Sequence, residues 1–317
     1  MTVKVGVLGI GRWGVNHVRV YKELMKEVDV ELVGVYDIDP SKKKVAEAYG
    51  TPFYTSLKDL LLKVDAVSVV TPTDTHYQVV EECIEEGKHV LVEKPFVLNT
   101  EQAKKLVTLA RNKGIILNVG YLYRFNPVVK KLKEMVNSNL NIRSITARYV
   151  QPKPPRSDCG AIFNLTVHLI DILNFILDKK PITILCKAGY KISEPNKLED
   201  CATVILGYDD FYALLEVASL HPHKIRDMFI LSSSISYYAD FYGQTLEVYE
   251  KVEGIEEWRK RAIEIEKKEP LKEELKHFVL SVKGEIDDNL GEEEIYTTLI
   301  CEKAIESSRT GMELRIA

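Results

Sequence analysis

The amino-acid sequence predicts an α/β protein with two domains: an N-terminal doubly wound parallel sheet, and a C-terminal α+β domain with a large, mostly antiparallel open sheet. Three observations support this class. Short apolar runs alternate with helical patterns over the first 120 residues, a GxGxxG motif follows the first run, and strand patterns dominate after Gly120. We place the boundary after residue 121, which gives domains of 1–121 and 122–317.

Five apolar runs of the first domain are predicted strands, and they lie at Val3–Leu8, Val30–Tyr36, Ala66–Val70, His89–Val92 and Ile115–Val119. The third and fourth runs are continuously apolar, which is typical of strands buried on both faces of a parallel sheet. Helical patterns separate the runs, at about 13–26, from 41 onward, at 76–86 and at 101–112. This order predicts right-handed βαβ units.

The second domain opens with a predicted helix, because Asn126-Pro127 combines a capping residue with a proline in the first turn. Alternation in several later segments predicts strands with one buried and one wetter face. These strands are Arg143–Val150, Ile182–Tyr190, Ala202–Tyr208, Tyr212–Ser219, Met228–Ser232 and Thr245–Tyr249. Further helices are predicted at about 162–177, 271–282 and 292–308, and the charge-rich segment 256–269 is interpreted as a solvated helix or loop.

Composition excludes several classes of function. The chain of 317 residues carries 43 basic and 47 acidic side chains, a near balance that argues against a nucleic-acid-binding surface spread over the whole protein. No apolar run is long enough to cross a bilayer, and the first residues enter a strand pattern without a signal peptide. Five scattered cysteines without a CxxC pair favour neither a disulfide framework nor a metal site, and His221-Pro-His223 lacks a third ligand. We therefore expect a cytoplasmic protein without a metal, a nucleic-acid partner or a membrane partner.

The GxGxxG motif, Gly9-Ile10-Gly11-Arg12-Trp13-Gly14, lies between the first predicted strand and the first helix. Gly9 permits a tight turn, Gly11 lets the backbone approach a pyrophosphate, and Gly14 lets helix and strand pack closely. Unpaired N–H groups at the helix N-terminus attract phosphate. This context predicts a Rossmann domain that binds a dinucleotide.

Asp37 distinguishes between the two common dinucleotides. It ends the second strand, 23 residues after Gly14, where a carboxylate accepts hydrogen bonds from the adenosine ribose. Its negative charge repels a 2′-phosphate, and the next residue is Ile38 rather than an arginine. Lys42–Lys44 follow, and they are interpreted as a solvated helix face. NAD is therefore the predicted cofactor, in preference to NADP.

A second motif, Glu93-Lys94-Pro95, follows the predicted strand at 89–92, at the carboxyl edge where such sheets bind ligands. A lysine there can hydrogen-bond a substrate hydroxyl and stabilise charge during hydride transfer. The glycine motif, Asp37, Thr71-Pro72-Thr73 and Glu93-Lys94-Pro95 together resemble the glucose-fructose oxidoreductase / inositol dehydrogenase / MocA family, and the likeness covers essentially the whole chain.

The resemblance implies that Lys94 is catalytic, that Glu93 lies against the nicotinamide riboside, and that the Lys94–Pro95 bond can be cis. From the motifs and the resemblance together, the predicted cofactor contacts are Gly9, Ile10, Gly11, Arg12, Trp13, Gly14, Asp37, Thr71, Pro72, Thr73, His76, Glu93, Lys94 and Tyr121.

The family's second catalytic motif is an Asp followed four residues later by His, on a helix that opens the second domain. The matching residues here are Asn164 and His168, and Asp171 falls on the same helical face. Asn164 departs from the family pattern, because an amide orients a histidine or a hydroxyl but cannot accept a proton as a base. We therefore predict that His168 takes the hydroxyl proton with Lys94 assisting. The alternative is Lys94 as base and His168 as a positioning donor.

Three stretches, 11–21, 120–127 and 148–163, resemble the UDP-N-acetylglucosamine 3-dehydrogenase branch of the family. This resemblance implies oxidation of the sugar 3-hydroxyl to a ketone. A nucleotide-sugar carries a diphosphate, so fixed cations are expected to bind it. The predicted substrate contacts are Lys94, Asn164, His168 and Asp171, with Arg124, Lys153 and Arg156 as the candidate cations.

The sequence leaves three other functions open. The substrate can be a free polyol or sugar, as in inositol dehydrogenase, or the reaction can be a redox-assisted glycoside cleavage that recycles NAD. The chain can also be a non-catalytic NAD-binding regulator of transcription, although the presence of both Lys94 and His168 argues against that function. The resemblance further implies a homodimer or homotetramer that forms through the sheet of the second domain.

Overall fold

Two β-sheets organise the residues that a computed structural model describes, which are 2–136, 140–177, 179–190, 198–252, 254, 257–287 and 292–316. The chain divides into two units. The first comprises Met1–Leu122 with Glu269–Ile295, and the second comprises Tyr123–Lys268 with Tyr296–Ala317.

The first unit contains a six-stranded sheet in the order β3-β2-β1-β4-β5-β6, and every neighbouring pair is parallel. This is the doubly wound order, with its reversal between β1 and β4. The strands are β1 (Val3–Leu8), β2 (Val30–Tyr36), β3 (Phe53–Tyr54), β4 (Ala66–Val69), β5 (His89–Glu93) and β6 (Leu117–Gly120). The predicted parallel sheet is confirmed. Strand β3 was not predicted, because a strand of two residues carries no periodic pattern.

The second unit contains a nine-stranded sheet in the order β14-β13-β12-β11-β7-β10-β9-β8-β15. Among the described strands of this sheet, only β7 and β10 pair in parallel, so its predicted, mostly antiparallel character is confirmed. The strands are β7 (Ile142–Val150), β8 (Thr183–Gly189), β9 (Cys201–Gly207), β10 (Tyr212–Ala218), β11 (Ile225–Ser232), β12 (Ile235–Asp240), β13 (Thr245–Lys251), β14 (Trp258–Ile263) and β15 (Leu314–Arg315).

The interpretation of segment 256–269 as a solvated helix or loop was wrong for its central part, which forms the edge strand β14. Five of the six residues of β14 are exposed, so no buried face produces an alternating pattern in the sequence. Backbone pairing with β13 forms the strand instead, and its Arg and Lys side chains suit an exposed sheet edge.

The helices are α1 (Gly14–Leu24), α2 (Lys43–Ala48), α3 (Leu57–Leu61), α4 (His76–Glu85), α5 (Thr100–Lys113), α6 (Pro127–Met135), α7 (Val167–Ile176), α8 (Pro270–Val282) and α9 (Glu292–Thr310). Local signals set several of their ends. The Asn126 carboxamide oxygen accepts a hydrogen bond from the Val128 amide at 2.9 Å, as its predicted capping role requires. Gly114, at φ +64°, ends α5. None of the described helices combines the length and apolarity that a membrane crossing requires.

Helix α8 belongs to the first unit, although the predicted boundary assigned everything after residue 121 to the second. Its apolar residues Leu271, Leu275 and Phe278 are buried in the core formed by β1, β2 and α1. Lys272 on α8 makes an ion pair of 2.5 Å with Glu27. The apolar face of an amphipathic helix does not specify which of two cores it covers, so this placement could not be read from the sequence.

We predict that Phe278→Ala lowers the free energy of unfolding of the first unit by about 3–5 kcal/mol, because it removes a fully buried aromatic side chain. Urea denaturation measures this loss. Leu62→Ala is the control, since that side chain is 70% exposed and its removal should cost no more than about 0.5 kcal/mol. Equal effects of the two substitutions would show that α8 is not part of this core.

Candidate active site

The glycine motif forms the turn between β1 and α1. Gly9 has φ +87°, and a Cβ on this residue would lie 2.6 Å from the Val70 carbonyl oxygen. A Cβ on Gly14 would lie 1.9 Å from the Gly9 carbonyl oxygen, so the turn itself requires both glycines. A Cβ on Gly11 would meet no atom within 4 Å. Open space beside this backbone is what the close approach of a pyrophosphate requires, and the turn therefore fits a dinucleotide.

Asp37 lies directly after β2, beside this turn. Its Oδ2 accepts a hydrogen bond from the Ile10 amide at 2.9 Å, and its Oδ1 accepts one from the Asp39 amide at 3.0 Å. Each carboxylate oxygen can accept a further bond, as ribose hydroxyls require. The Ile10 side chain is buried in the core, so it is the backbone of Ile10 that contributes to the turn. Arg12 and Trp13 are exposed.

Glu93 ends β5 with a buried carboxylate. Its Oε1 accepts hydrogen bonds from the Trp13 indole at 2.7 Å and from His17 Nε2 at 3.1 Å. Its Oε2 accepts one from the Lys94 amide at 3.2 Å. Burial raises the pKa of the Glu93 carboxyl, but the donors from His17 and Trp13 and the charge of Lys94 outweigh burial and hold the pKa below its usual value. The carboxylate is therefore ionised and links α1 to the end of β5.

His17 is a further candidate site residue, which was not among the predicted ones. Its ring is fully buried. Because an ionised carboxylate can only accept a hydrogen bond, His17 Nε2 carries a proton and donates the bond to Glu93 Oε1. Nδ1 has no hydrogen-bond partner among the described residues, which is consistent with the tautomer protonated at Nε2. The available signal was its place on the helix that the glycine motif opens, one turn beyond Trp13.

His76 connects two loops at the same edge of the sheet. Its Nδ1 lies 2.9 Å from the Pro95 carbonyl oxygen, and its Nε2 lies 3.0 Å from the Thr71 carbonyl oxygen. Burial lowers the pKa of His76, while these carbonyl contacts oppose the shift. The ring therefore holds the loop after β4 against the loop that carries Lys94. The Lys94–Pro95 peptide bond is cis, in agreement with the family resemblance.

The remaining predicted cofactor residues of the first unit lie around these loops. Lys94 is half-buried, Thr73 and Tyr121 are buried, and Thr71 bonds Thr75 through their hydroxyl groups at 2.8 Å.

In the second unit, Asn164 and His168 lie on consecutive helical segments of different geometry. Ile162–Thr166 is a π-helical turn, and α7 follows it. Both side chains are buried, as is that of Asp171. His168 and Asp171 keep the α-helical spacing, whereas the wider π-turn sets the direction of Asn164. The predicted uninterrupted helix over 162–177 was therefore wrong for its first turn, because such turns leave no periodic pattern.

A buried carboxylate holds the start of this π-turn. Glu199 Oε1 accepts a hydrogen bond from the Ile162 amide at 2.9 Å, and the Glu199 carbonyl oxygen accepts one from the Ala161 amide at 2.8 Å. A Cβ on Gly160 would lie 2.2 Å from the Glu199 carboxyl group, so a larger residue here would displace that carboxyl group. Burial raises the pKa of the Glu199 carboxyl.

Two of the predicted substrate-binding residues bind each other. Arg124 Nε donates to Asp171 Oδ1 at 2.8 Å, and Arg124 Nη2 lies 2.6 Å from the same oxygen. Arg156 is paired in a similar way, since its Nε donates to Asp158 Oδ1 at 2.7 Å. Lys153 is exposed. The charges of both arginines are thus balanced within the protein, which leaves less charge for a substrate phosphate.

The His168 ring is enclosed by aromatic side chains that the sequence analysis did not identify. The Tyr149 ring stacks on it with centroids 4.9 Å apart and planes 9° apart. The Tyr123 ring meets it edge-on, with centroids 5.2 Å apart. Both tyrosines lie within stretches quoted for the family resemblance, but their contact with His168 depends on tertiary structure.

Metal ligation has no candidate here: within the described ranges, no group of three or more His, Cys, Asp or Glu side chains could hold an ion.

A glycine turn with room for a pyrophosphate, a carboxylate at the ribose position and a lysine at the carboxyl edge of the sheet define an NAD-binding oxidoreductase. Two family models match the chain. One, described as "Oxidoreductase family, NAD-binding Rossmann fold", matches residues 3–121, and the other, described as "GFO/IDH/MocA C-terminal domain", matches residues 129–240. The chain belongs to the GFO/IDH/MocA family of oxidoreductases, and NAD is its cofactor.

Named relatives include dehydrogenases of two substrate types. A UDP-N-acetylglucosamine 3-dehydrogenase from Acidithiobacillus ferrooxidans is 28% identical over 287 residues, which cover 88% of each chain. An inositol 2-dehydrogenase from Rhizobium meliloti is 28% identical over 275 residues, or 84% of this chain and 78% of the relative. The protein is accordingly an enzyme of the dehydrogenase class.

Solved structures agree with this assignment. UDP-N-acetylglucosamine 3-dehydrogenase GnnA from Acidithiobacillus ferrooxidans has a TM-score of 0.87 at 25% identity, over 98% of this chain and 99% of that one. GenD2 from gentamicin A biosynthesis, solved in complex with NAD, has a TM-score of 0.85 at 22% identity, over 99% and 96% of the two chains, and shares the fold.

We predict that His17→Leu lowers the free energy of unfolding by about 1–3 kcal/mol at pH 7, because it leaves a buried carboxylate with one donor fewer. The Glu93 interaction stabilises the fold fully above the pKa of an unfolded glutamate, about 4.3, and is lost as the pH falls through the lower native pKa. Urea denaturation at pH 7 and at pH 4 should therefore show that the wild type and His17→Leu differ less in free energy of unfolding at pH 4 than at pH 7. His223→Leu, at an exposed histidine, is the control, and an equal cost for both would contradict the role of His17.

We predict that Asp37→Asn weakens NAD binding by about 10-fold or more, because a hydrogen bond to a charged acceptor contributes about 1.5–3 kcal/mol. The same substitution should bring the Kd of NADP closer to that of NAD, since it removes the charge that repels a 2′-phosphate. Isothermal titration calorimetry measures both constants. Asp39→Asn, two residues away on the surface, should leave them unchanged, and an unchanged preference in Asp37→Asn would refute this role of Asp37.

Proposed function

We propose that this enzyme oxidises the 3-hydroxyl of UDP-N-acetylglucosamine to a ketone. The observation that carries the proposal is the similarity to the Acidithiobacillus ferrooxidans enzyme named for this reaction, which extends over 88% of both chains. Lys94 and His168, the two residues that the reaction needs for its proton, are both present.

The reaction removes a hydride from the sugar carbon and a proton from its hydroxyl group. NAD, when bound, accepts the hydride. We assign the proton to His168, because an imidazole ordinarily titrates near pH 7 and can accept a proton there, whereas a lysine amine is ordinarily protonated. Lys94 then donates a hydrogen bond to the oxygen as it becomes a carbonyl. Asn164 orients the imidazole or the sugar and takes no proton.

A second candidate substrate is an uncharged polyol such as inositol. It is favoured by the ion pairs Arg124–Asp171 and Arg156–Asp158, which neutralise two of the three cations expected to bind a diphosphate. An inositol 2-dehydrogenase also matches at the same identity as the nucleotide-sugar enzyme.

We further propose a cytoplasmic homodimer or homotetramer that forms through the nine-stranded sheet. Exposed aromatic side chains on its strands support an interface there, since Tyr212 is 50% and Trp258 is 41% exposed.

The first test incubates the purified protein with UDP-N-acetylglucosamine and NAD, and traps the ketone with a hydrazine. We expect NADH absorbance and a ketone product that is two hydrogen atoms lighter than the substrate. The hydrazine adduct of this ketone should be detected by its mass. Lys94→Met and His168→Gln should each lower kcat by about 100-fold or more, as removal of acid–base groups does. Lys105→Met, at an exposed lysine of α5, should leave kcat unchanged.

A parallel reaction contains myo-inositol in place of the nucleotide-sugar. NADH formation only with inositol would replace the first substrate by the second. No NADH with either compound, when calorimetry confirms NAD binding, would overturn both substrate proposals.

A further inference from the structure

Four side chains of the second unit form an aromatic and cationic assembly that we call the Arg226 stack: Arg226, Tyr149, Tyr123 and His168. The Arg226 guanidinium lies over the Tyr149 ring, 4.4 Å from its centroid. The Tyr149 ring stacks on His168, and the Tyr123 ring meets both rings at 80–88°. Tyr149 and Tyr123 therefore contact His168 directly, and Arg226 contacts it through Tyr149.

Sheet register places the first two members together. Arg226 on β11 and Tyr149 on β7 are directly paired across the two antiparallel strands, so their side chains leave the same face of the sheet as neighbours. His168 lies on α7, which packs against β7. Three members of the stack thus lie on strands or on α7, and Tyr123 lies on the short 3₁₀ turn Leu122–Phe125.

A hydrogen bond fixes the stack further. Arg226 Nη1 donates to the Tyr123 hydroxyl oxygen at 2.8 Å, and the Tyr123 ring packs edge-on against the Tyr149 ring with centroids 6.1 Å apart. Burial raises the pKa of both hydroxyl groups, so both remain protonated and able to donate. The hydrogen bond from Arg226 to Tyr123 and the edge contact of Tyr123 with Tyr149 together restrain the plane of the Tyr149 ring.

The partners of Arg226 are unusual for a half-buried arginine. It makes no ion pair with any carboxylate in the described part of the chain, and its Nε is buried without a hydrogen-bond partner. The next residue pair along the same two strands, Arg148 and Asp227, shows the usual arrangement of an arginine with a carboxylate. Arg148 Nε donates to Asp227 Oδ1 at 2.9 Å, on the opposite face of the sheet. A partly buried charge without a carboxylate partner costs stability, which indicates a role other than stability.

We propose that Tyr149, held by Arg226 and Tyr123, is the positioning residue that sets the ring plane of His168. The terminal torsion of a histidine side chain has broad minima, so a helix alone does not fix the direction of its ring nitrogens. A stacked ring prevents tilting, and the edge of Tyr123 opposes rotation. This inference rests on the proposed function, in which one nitrogen of His168 must face the hydroxyl proton.

The kinetic test compares Tyr149→Leu, which removes the ring, with Tyr149→Phe, which keeps the ring and removes the hydroxyl. We expect Tyr149→Leu to lower kcat by about 10- to 100-fold, because small displacements of a catalytic group cost factors of this size. The Kd of NAD should not change, and Tyr149→Phe should lose only a few-fold. Arg148→Met, on the opposite face of the same strands, should retain wild-type kcat.

A double-substitution cycle separates positioning from general damage. If Tyr149 acts through His168, Tyr149→Leu has no further effect on kcat once His168→Gln is present. A further loss in the double variant equal to the loss in the single one would overturn the proposal. So would a wild-type kcat in Tyr149→Leu.

A measurement without substrate keeps this inference separate from the proposed function. In a histidine-labelled protein with seven histidines, His168→Gln assigns the His168 ring protons in the NMR spectrum. Stacking on Tyr149 predicts an upfield ring-current shift that Tyr149→Phe retains and Tyr149→Leu abolishes. Absence of this shift in the wild type overturns the stack, whereas failure of the wild type to oxidise any sugar overturns only the proposed function.

Discussion

The buried carboxylate of Glu93 is the interaction on which the nucleotide-binding unit depends. A charge at the end of a central strand is tolerated only when donors surround it, and here the donors come from Trp13 and His17 on the glycine turn and its helix. The bond therefore connects the first βα turn to the strand that leads into Lys94. Loss of Trp13 or His17 would leave the buried Glu93 carboxylate with one donor fewer, so the geometries of the two loops depend on each other.

His76 extends the same arrangement to a third loop. By contacting the carbonyl oxygens of Thr71 and Pro95, it joins the segments that follow β4 and β5. The loops after β1, β4 and β5 all lie at the carboxyl edge of the parallel sheet, where doubly wound proteins bind their ligands. Contacts between buried polar side chains and the loop backbone thus hold this edge of the sheet together within the protein itself.

In the second unit, His168 is held by a different kind of interaction. His168 lies against aromatic rings, while the nearby carboxylate of Asp171 is neutralised by Arg124. Stacking on Tyr149 and the edge of Tyr123 restrain the plane of the His168 ring. The same pairing of Arg124 bears on substrate choice, since a guanidinium already bonded to a buried carboxylate is a poor ligand for a diphosphate.

Sequence alone predicted those features that depend on neighbours in the chain. Apolar runs marked the long strands, Asn126 marked a helix start, and the glycine spacing marked a dinucleotide turn whose Gly9 and Gly14 have no room for a side chain. The family resemblance added Lys94 and His168, whose catalytic roles stay predictions.

Tertiary structure alone decided which distant groups meet. It placed α8 in the first unit, made an exposed edge strand of 258–263, and inserted a π-turn at Asn164. It also paired Arg124 with Asp171 and stacked Tyr149 on His168. None of these has a local signature, because burial, ion pairing and ring stacking join residues that are far apart in the chain, and their free energies exist only after the sheets and helices have packed.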